Sequence, residues 1–332
     1  MKIAINGFGR IGRIIFKIME EDSFFDVVAI NDLSSSEELA YLLKYDTNFR
    51  RYDKEVSFDE DSITIDGKKI RVFKETDPVN LPWRDMDIDL VLECTGRFAK
   101  EEDSYKHIKA GAKKVLVSAP CKGNVKTIVY NVNDDIIDGS EKILSAASCT
   151  TNCLAPVLKV LDDNFGIERG FMTTVHAYTN DQVTLDVTHK KGIYERRGRA
   201  CAMNIVPTST GAATAIGKVL PNLDGKLSGG ALRVPVSDGS LIDLTLELRE
   251  NVTEENVNNA FINNVSETLE VTKDPVVSSD IIGSKCGALV DLSLTKVLES
   301  DGKKLVKVIA WYDNEMGYSY QMMRTAKRFL GR

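Results

Sequence analysis

Apolar positions follow two different rhythms along this chain. Through the first half, short apolar runs alternate with stretches of helical period. Residues 2–6 are an apolar run stopped by Gly7, and residues 11–20 carry apolar side chains at helical spacing. Residues 27–30 form the next run, closed by Asn31 and Asp32. Ser35 with Glu38 three residues on predicts a capping box and a helix to about Lys44. Residues 56–73 alternate around Asp66-Gly67 as a hairpin would. Runs at 90–94 and 115–117, separated by a helical segment ending at Gly111-Ala112, predict two more strands, with 128–131 and 143–146 as further ones. Strands interleaved with helices predict a parallel α/β sheet with right-handed crossovers.

From about Cys149 the rhythm changes. A helix is expected over 150–164, with Pro156 in its early turns, and longer strands follow at 170–177, 231–235, 240–248, 287–294 and 305–311. Residues 241–248 set Ile242, Leu244, Leu246 and Leu248 against Leu241, Asp243, Thr245 and Glu247. That period of two suits an antiparallel sheet with one covered face. Residues 318–330 read as a terminal helix. Residues 180–202 form a long irregular stretch rich in Lys and Arg, the kind of loop that serves function or an interface.

At 332 residues the chain is long enough for two domains. A hydrophobic share of 43% and a charged share of 28% exclude wholesale disorder. The net charge of −6 argues against nucleic acid or a membrane surface as partner. No apolar run approaches the ~20 residues of a membrane helix, and the N-terminal residues carry no secretion signal. The six cysteines form no CxxC pair and no zinc spacing, so no metal is expected and reduced thiols in the cytoplasm are.

Gly7-Phe8-Gly9-Arg10-Ile11-Gly12 is G-x-G-x-x-G, placed after a predicted strand and opening a predicted helix. Gly7 permits the tight turn, Gly9 lets backbone approach a pyrophosphate, and Gly12 lets the helix pack on the sheet. The helix N-terminus supplies free N–H groups to the phosphates. Asp32, at the end of the second strand, would bind ribose hydroxyls and repel a 2′-phosphate, which favours NAD over NADP.

Ser148-Cys149-Thr150-Thr151-Asn152-Cys153 lies where a strand gives way to a helix. A thiol at a helix N-terminus is expected to fall below its free pKa of about 8.5. The alternative for Cys149 is a small buried apolar residue, and the flanking hydroxyls argue against it; simple packing is the reading for Cys153. Of three histidines, His107 reads as a solvated surface residue and His189 as a member of the basic loop. His176 ends an apolar strand, where it can pair with Cys149 as general base or sit bonded to backbone in the core. Thr179, Arg197, Thr210 and Arg233 add anion-binding groups. Pro207 to Ala213 is a hydroxyl-and-glycine turn feeding a helix, and Arg233 interrupts an apolar strand. Together they suggest a phosphorylated substrate.

INGFGRIGR (5–13), AIND (29–32), ASCTTNC (147–153), TTVHAYTNDQ (173–182), STGAA (209–213), RVP (233–235) and WYDNEMGYS (311–319) closely resemble the phosphorylating glyceraldehyde-3-phosphate dehydrogenase family, in collinear order over the whole chain. The resemblance implies an α/β protein. A Rossmann-type NAD-binding domain would span 1–148, completed by a C-terminal helix over 312–332. An α+β catalytic domain with a mostly antiparallel sheet would span 149–311. It implies that Cys149 attacks the aldehyde of glyceraldehyde 3-phosphate, that His176 takes the proton, that hydride passes to NAD, and that inorganic phosphate releases 1,3-bisphosphoglycerate from the thioester. By resemblance, Thr179 and Arg233 hold the substrate phosphate. Ser148, Cys149, Thr150, Arg197, Thr210 and Gly211 serve the attacking phosphate. Gly7, Gly9, Arg10, Ile11, Gly12, Asp32, Thr76, Gly96, Ser118, Asn314 and Tyr318 serve NAD, with Asn314 on the carboxamide. The family is usually a cytoplasmic homotetramer. The segment 236–240 departs from the family pattern, and Thr76 stands where Arg is frequent. The rival readings are a related erythrose-4-phosphate dehydrogenase and a non-catalytic NAD- or RNA-binding protein acting through the basic loop.

Overall fold

In a computed structural model covering residues 1–332, the chain forms two units: Met1–Ser148 with Ser319–Arg332, and Cys149–Tyr318. The first unit begins β1 (Lys2–Asn6), α1 (Arg10–Glu20), β2 (Asp26–Asn31) and α2 (Ser36–Lys44). A small pair, β3 (Tyr45–Asp46) and β4 (Arg50–Arg51), precedes β5 (Val56–Phe58), β6 (Ser62–Ile65) and β7 (Lys68–Phe73). Then come β8 (Leu90–Glu93), α3 (Glu101–Lys109), β9 (Lys114–Val117), β10 (Lys126–Thr127) and β11 (Ile143–Ser145). One nine-stranded sheet runs β10-β11-β9-β8-β1-β2-β7-β6-β5. It is parallel from β10 to β7, and only the β5-β6-β7 meander is antiparallel.

Local chemistry accounts for these elements. Ser35 Oγ accepts from the Glu38 N–H at 3.2 Å while the Glu38 carboxylate accepts from the Ser35 N–H at 2.8 Å, so α2 starts on a complete capping box. Asp66 and Gly67 both take positive φ, +46° and +85°, as the two-residue turn between β6 and β7 demands. Strands β1 and β8 are buried on both faces, which is why they read as continuous apolar runs. From Ser319 onward the C-terminal helix α7 (Met316–Phe329) packs in this unit: Lys327 pairs with Asp22, and Lys114 Nζ donates to the Phe329 carbonyl at 2.6 Å.

Two expectations fail here. Residues 128–131 are not a strand; pairing stops at Thr127, because Asn131 turns to φ +64° and the Val132 N–H closes on the Val129 carbonyl. His107 is not solvated. Its ring is fully buried between α3 and the sheet, stacked on Trp83.

The second unit holds α4 (Cys149–Phe165), β12 (Ile167–Ala177), β13 (Val206–Thr208), α5 (Ala212–Val219), β14 (Leu227–Val234), β15 (Ser240–Leu248) and α6 (Glu254–Asn263). It ends in β16 (Leu269–Thr272), β17 (Ala288–Asp291), β18 (Lys296–Ser300) and β19 (Lys303–Tyr312). The sheet order is β13-β14-β12-β15-β19-β17-β16, with β18 paired to β19. Most pairs are antiparallel, but β12–β14 and β16–β17 are parallel, so the sheet is mixed. Along β15 burial alternates strictly, and α4 packs on the face formed by β15, β17 and β19. Pro156 lies inside α4 and brings no N–H to the helix ladder.

Candidate active site

In the first unit the glycine turn follows β1 directly. A side chain on Gly7 (φ +91°) would meet the Thr95 nitrogen at 2.7 Å, and one on Gly12 would meet the Gly7 carbonyl oxygen at 2.2 Å. A side chain on Gly9 would meet nothing within 4 Å. The turn is thus closed on two sides and open at Gly9, which stands at the N-cap of α1 with no side-chain cap on the first-turn N–H groups. The Asp32 carboxylate is fixed against this turn: it accepts from the Phe8 N–H at 2.8 Å and the Ser34 N–H at 3.0 Å. Gly7, Gly9, Asp32 and Thr76 line one cavity of about 330 Å³, together with Thr95 and Arg97, which flank Gly96. An open cradle at Gly9, a helix start without a side-chain cap and a fixed acidic group fit the pyrophosphate and one ribose of a dinucleotide.

The remaining dinucleotide candidates are placed less directly. Arg10 and Ile11 open α1, and Arg10 forks onto Asp46 at 2.7 and 3.2 Å. Ser118 follows β9, its N–H on the Glu93 carbonyl. Asn314 and Tyr318 belong to the second unit; Asn314 Oδ1 accepts from Ser240 Oγ at 2.6 Å.

In the second unit, β12 and β14 pair in parallel with His176 opposite Arg233. Cys149 is the first residue of α4, and its Sγ lies 3.4 Å from His176 Nε2. His176 Nδ1 lies 2.7 Å from the Ala177 carbonyl, which can only accept, and 2.9 Å from Arg233 Nη1, which can only donate; with the hydrogen on Nδ1, as the shorter contact asks, Nε2 would turn its lone pair to the thiol. Arg233 Nη1 donates to the same carbonyl at 2.9 Å and to Thr179 Oγ1 at 3.1 Å. Its Nε is buried with no hydrogen-bond partner, a donor reserved for something the chain itself does not provide. Arg197 donates to Thr208 Oγ1 at 3.1 Å and pairs with Asp181, whose other oxygen accepts from Thr179. Thr210 Oγ1 accepts from the Ala212 N–H at the start of α5, beside Gly211.

The electrostatics correct one expectation. The Cys149 thiol is not lowered: burial pushes it up, and Arg233 and the Thr150 hydroxyl offset that only in part. Burial and then the Arg233 charge push His176 down to about 3. The free site therefore holds a neutral thiol against a neutral imidazole. Asp181 stays below the ordinary carboxylate range despite burial, because the Thr179 hydroxyl and Arg197 favour its charged form.

Sequence reading did not single out Asp181, Tyr312 or Ser240. The Tyr312 hydroxyl lies 2.9 Å from both Thr150 Oγ1 and Thr174 Oγ1, and its ring meets His176 edge-on. Ser240 Oγ accepts the Ala177 N–H and so ties the His176 segment to Asn314. Asp181 and Tyr312 stood inside the quoted motifs, but a motif does not say which members face one another. Cys153 is buried, its Sγ 3.9 Å from the Ala310 carbonyl, in keeping with packing.

Residues 1–101 match the family model for the NAD binding domain of glyceraldehyde 3-phosphate dehydrogenase, and residues 148–314 match its C-terminal domain. The chain is 52% identical over 328 residues to a glyceraldehyde-3-phosphate dehydrogenase of Clostridium pasteurianum, covering 99% of this chain and 98% of that protein. A namesake from Streptococcus pyogenes is 51% identical over 330 residues, with the same coverage. With both halves matched and relatives aligned end to end, the chain belongs to the glyceraldehyde-3-phosphate dehydrogenase family.

Proposed function

We propose that this protein oxidises glyceraldehyde 3-phosphate with NAD and inorganic phosphate to 1,3-bisphosphoglycerate, through a covalent intermediate on Cys149. The 3.4 Å approach of Cys149 Sγ to Nε2 of His176 carries the reading. Because both groups are neutral, attack and proton transfer are coupled. As the sulfur bonds to the aldehyde carbon, its proton moves to Nε2, and the imidazolium formed is stabilised by the Ala177 carbonyl on Nδ1. The Cys149 N–H, at the first position of α4, has no intrahelical acceptor and is free to bind the oxyanion.

NAD, when bound, supplies the hydride acceptor that turns the hemithioacetal into a thioester. Gly9 and the start of α1 would hold its pyrophosphate and Asp32 its ribose, with Asn314 assigned to the carboxamide. Arg233 and Thr179 take the substrate phosphate, the unpartnered Arg233 Nε supplying a free donor. Arg197, Thr210 and Gly211, with Ser148 and Thr150, take the attacking phosphate. Holding the reacting carbon covalently makes the oxidation effectively unimolecular.

A cytoplasmic homotetramer is part of the proposal. Phe171, Met203, Ile205 and Tyr194 expose 66–94% of their surface, apolar area that a neighbouring subunit would cover. All six cysteines are free, as in a reducing compartment. No helix is long and apolar enough to cross a membrane. The test is turnover: purified protein with NAD, phosphate and glyceraldehyde 3-phosphate should release NADH in a phosphate-dependent manner. No NADH would end the enzymatic reading, and a higher kcat/KM for erythrose 4-phosphate would transfer it to the related dehydrogenase.

A further inference from the structure

Beneath the dinucleotide cavity lies a line of buried polar side chains that the mechanism does not use. Trp83, Glu93 and His107 are completely buried, and Asn6 and Asn31 nearly so. The indole Nε1–H of Trp83 donates to His107 Nδ1 at 3.0 Å. An indole can only donate, so Nδ1 holds the lone pair and the hydrogen sits on Nε2. That Nε2–H donates to Glu93 Oε2 at 3.1 Å, and Asn6 Nδ2 donates to the same oxygen. Asn6 Oδ1 in turn accepts from Asn31 Nδ2 at 2.7 Å. Asn31 closes the line by exchanging bonds with the backbone of Glu75, giving to its carbonyl at 3.0 Å and taking from its N–H at 2.8 Å.

The register explains the alignment. Glu93, Asn6 and Asn31 are the last residues of β8, β1 and β2, and they stand opposite one another in adjacent parallel strands. The belt therefore crosses the carboxyl ends of three strands, one layer below the glycine turn. Glu93 also reaches upward. Its Oε1 accepts from both the N–H and the hydroxyl of Thr95, the N–H at 2.8 Å, and Thr95 Oγ1 accepts from the Arg97 N–H at 3.0 Å. Thr95 is the wall that Gly7 abuts, and Asn6, Asn31, Glu75 and Thr95 all line the cavity. Burying a carboxylate here costs several kcal/mol unless every lone pair is answered. The donors that answer Glu93 are the same groups that fix the cavity floor.

We propose that His107 is a positioning residue for the dinucleotide, orienting Glu93 and through it Thr95 and Asn6, so that the buried belt sets NAD affinity. The inference rests on the reading of this cavity as the NAD site. It concerns affinity alone, so its failure and the failure of that reading give different results.

The experiment measures the NAD dissociation constant of the full-length enzyme by calorimetry, with kcat and the KM for glyceraldehyde 3-phosphate at saturating NAD. His107→Phe keeps the ring but removes the donor to Glu93, and should raise the NAD Kd about tenfold, equal to ~1.4 kcal/mol. Its kcat and substrate KM at saturating NAD should stay within about twofold. His107→Gln, whose amide can still donate to Glu93, should restore the Kd to within about threefold of wild type. If His107→Phe does not fold, Trp83→Phe carries the test: it frees the imidazole tautomer and should raise the NAD Kd by about threefold. Wild-type Kd in the folded variants, with only the melting temperature lowered, would assign the belt to stability and overturn the proposal. Absence of NAD binding by the wild-type protein would instead remove the reading on which it rests.

Discussion

The dinucleotide cavity and the thiol site solve the same problem, holding charge in a cleft, in opposite ways. In the first unit the half-buried Asp32 is answered by two backbone N–H groups, and the fully buried Glu93 by His107, Asn6 and Thr95. In the second unit the answers are incomplete. Arg233 keeps a buried Nε without a partner, and Arg197 is satisfied by Asp181, a carboxylate that itself bridges to Thr179. A site that only binds can be finished before its ligand arrives. A site that takes a phosphate, passes a proton and releases an acyl phosphate, as proposed for the second unit, needs hydrogen-bonding capacity kept open, and an internal carboxylate such as Asp181 can neutralise its cations meanwhile.

Separating the two sites by mutation gives the largest expected effect. Cys149→Ser should lower turnover by at least about 10³-fold, because the hydroxyl is a far weaker nucleophile for the same base. Its NAD affinity, measured by calorimetry, should remain within about twofold of wild type. Turnover comparable to wild type would remove Cys149 from its role, and a matching loss of NAD binding would show that the two sites are not independent. A smaller effect should come from the other side. Asp32→Gly removes the acidic group that favours a bare ribose and frees the Phe8 and Ser34 N–H groups it now holds. The ratio of kcat/KM for NAD over NADP should fall by about tenfold or more, the worth of one charge-assisted contact. An unchanged ratio would place cofactor selectivity elsewhere.

The sequence was legible where one residue type has one physical use. The glycine spacing, the capping box at Ser35 and the period-two strand over 240–248 all reappear as elements, since each depends on local sterics or on a single covered face. The pairing of Cys149 with His176 was legible because a thiol at a strand-to-helix junction and a histidine at a strand end leave few alternatives, and the two groups do meet at 3.4 Å. What escaped depended on partners far along the chain. His107 sits on a helix whose sequence is polar, yet it is buried because Trp83 and Glu93, both distant in sequence, complete its hydrogen bonds. The thiol was misjudged for the same reason: helix position argues for a lowered pKa, while the burial that outweighs it exists only in the folded unit. Edge strands such as β13 and β18 were missed because their register is set by β14 and β19.

The smallest expected effect concerns a buried group in the second unit that belongs to neither list of site residues. Asp238, in the atypical segment 236–240, is almost fully buried; Oδ1 accepts from the Gly239 N–H at 2.8 Å, and Oδ2 has no donor. Its neighbour is Asp313, which already receives the N–H groups of Gly283, Glu315 and Met316. Burial, and then the negative charges of Asp313 and Glu315, push the Asp238 carboxyl well up, so Asp238 holds a proton in the folded chain. The folded chain then binds a proton that the unfolded chain releases near the ordinary value of 3.8. The resulting stability is fully present below that value and is lost as pH rises through the raised one. Asp238→Asn keeps the shape and cannot ionise. The variant should gain on the order of 1–2 kcal/mol over wild type at about pH 8 and little at about pH 4, read from melting temperatures across that range. Melting curves that stay parallel across the range would mean that both carboxyls are ionised together in the fold, and the contrast between the answered carboxylates of the first unit and the open groups of the second would lose one of its members.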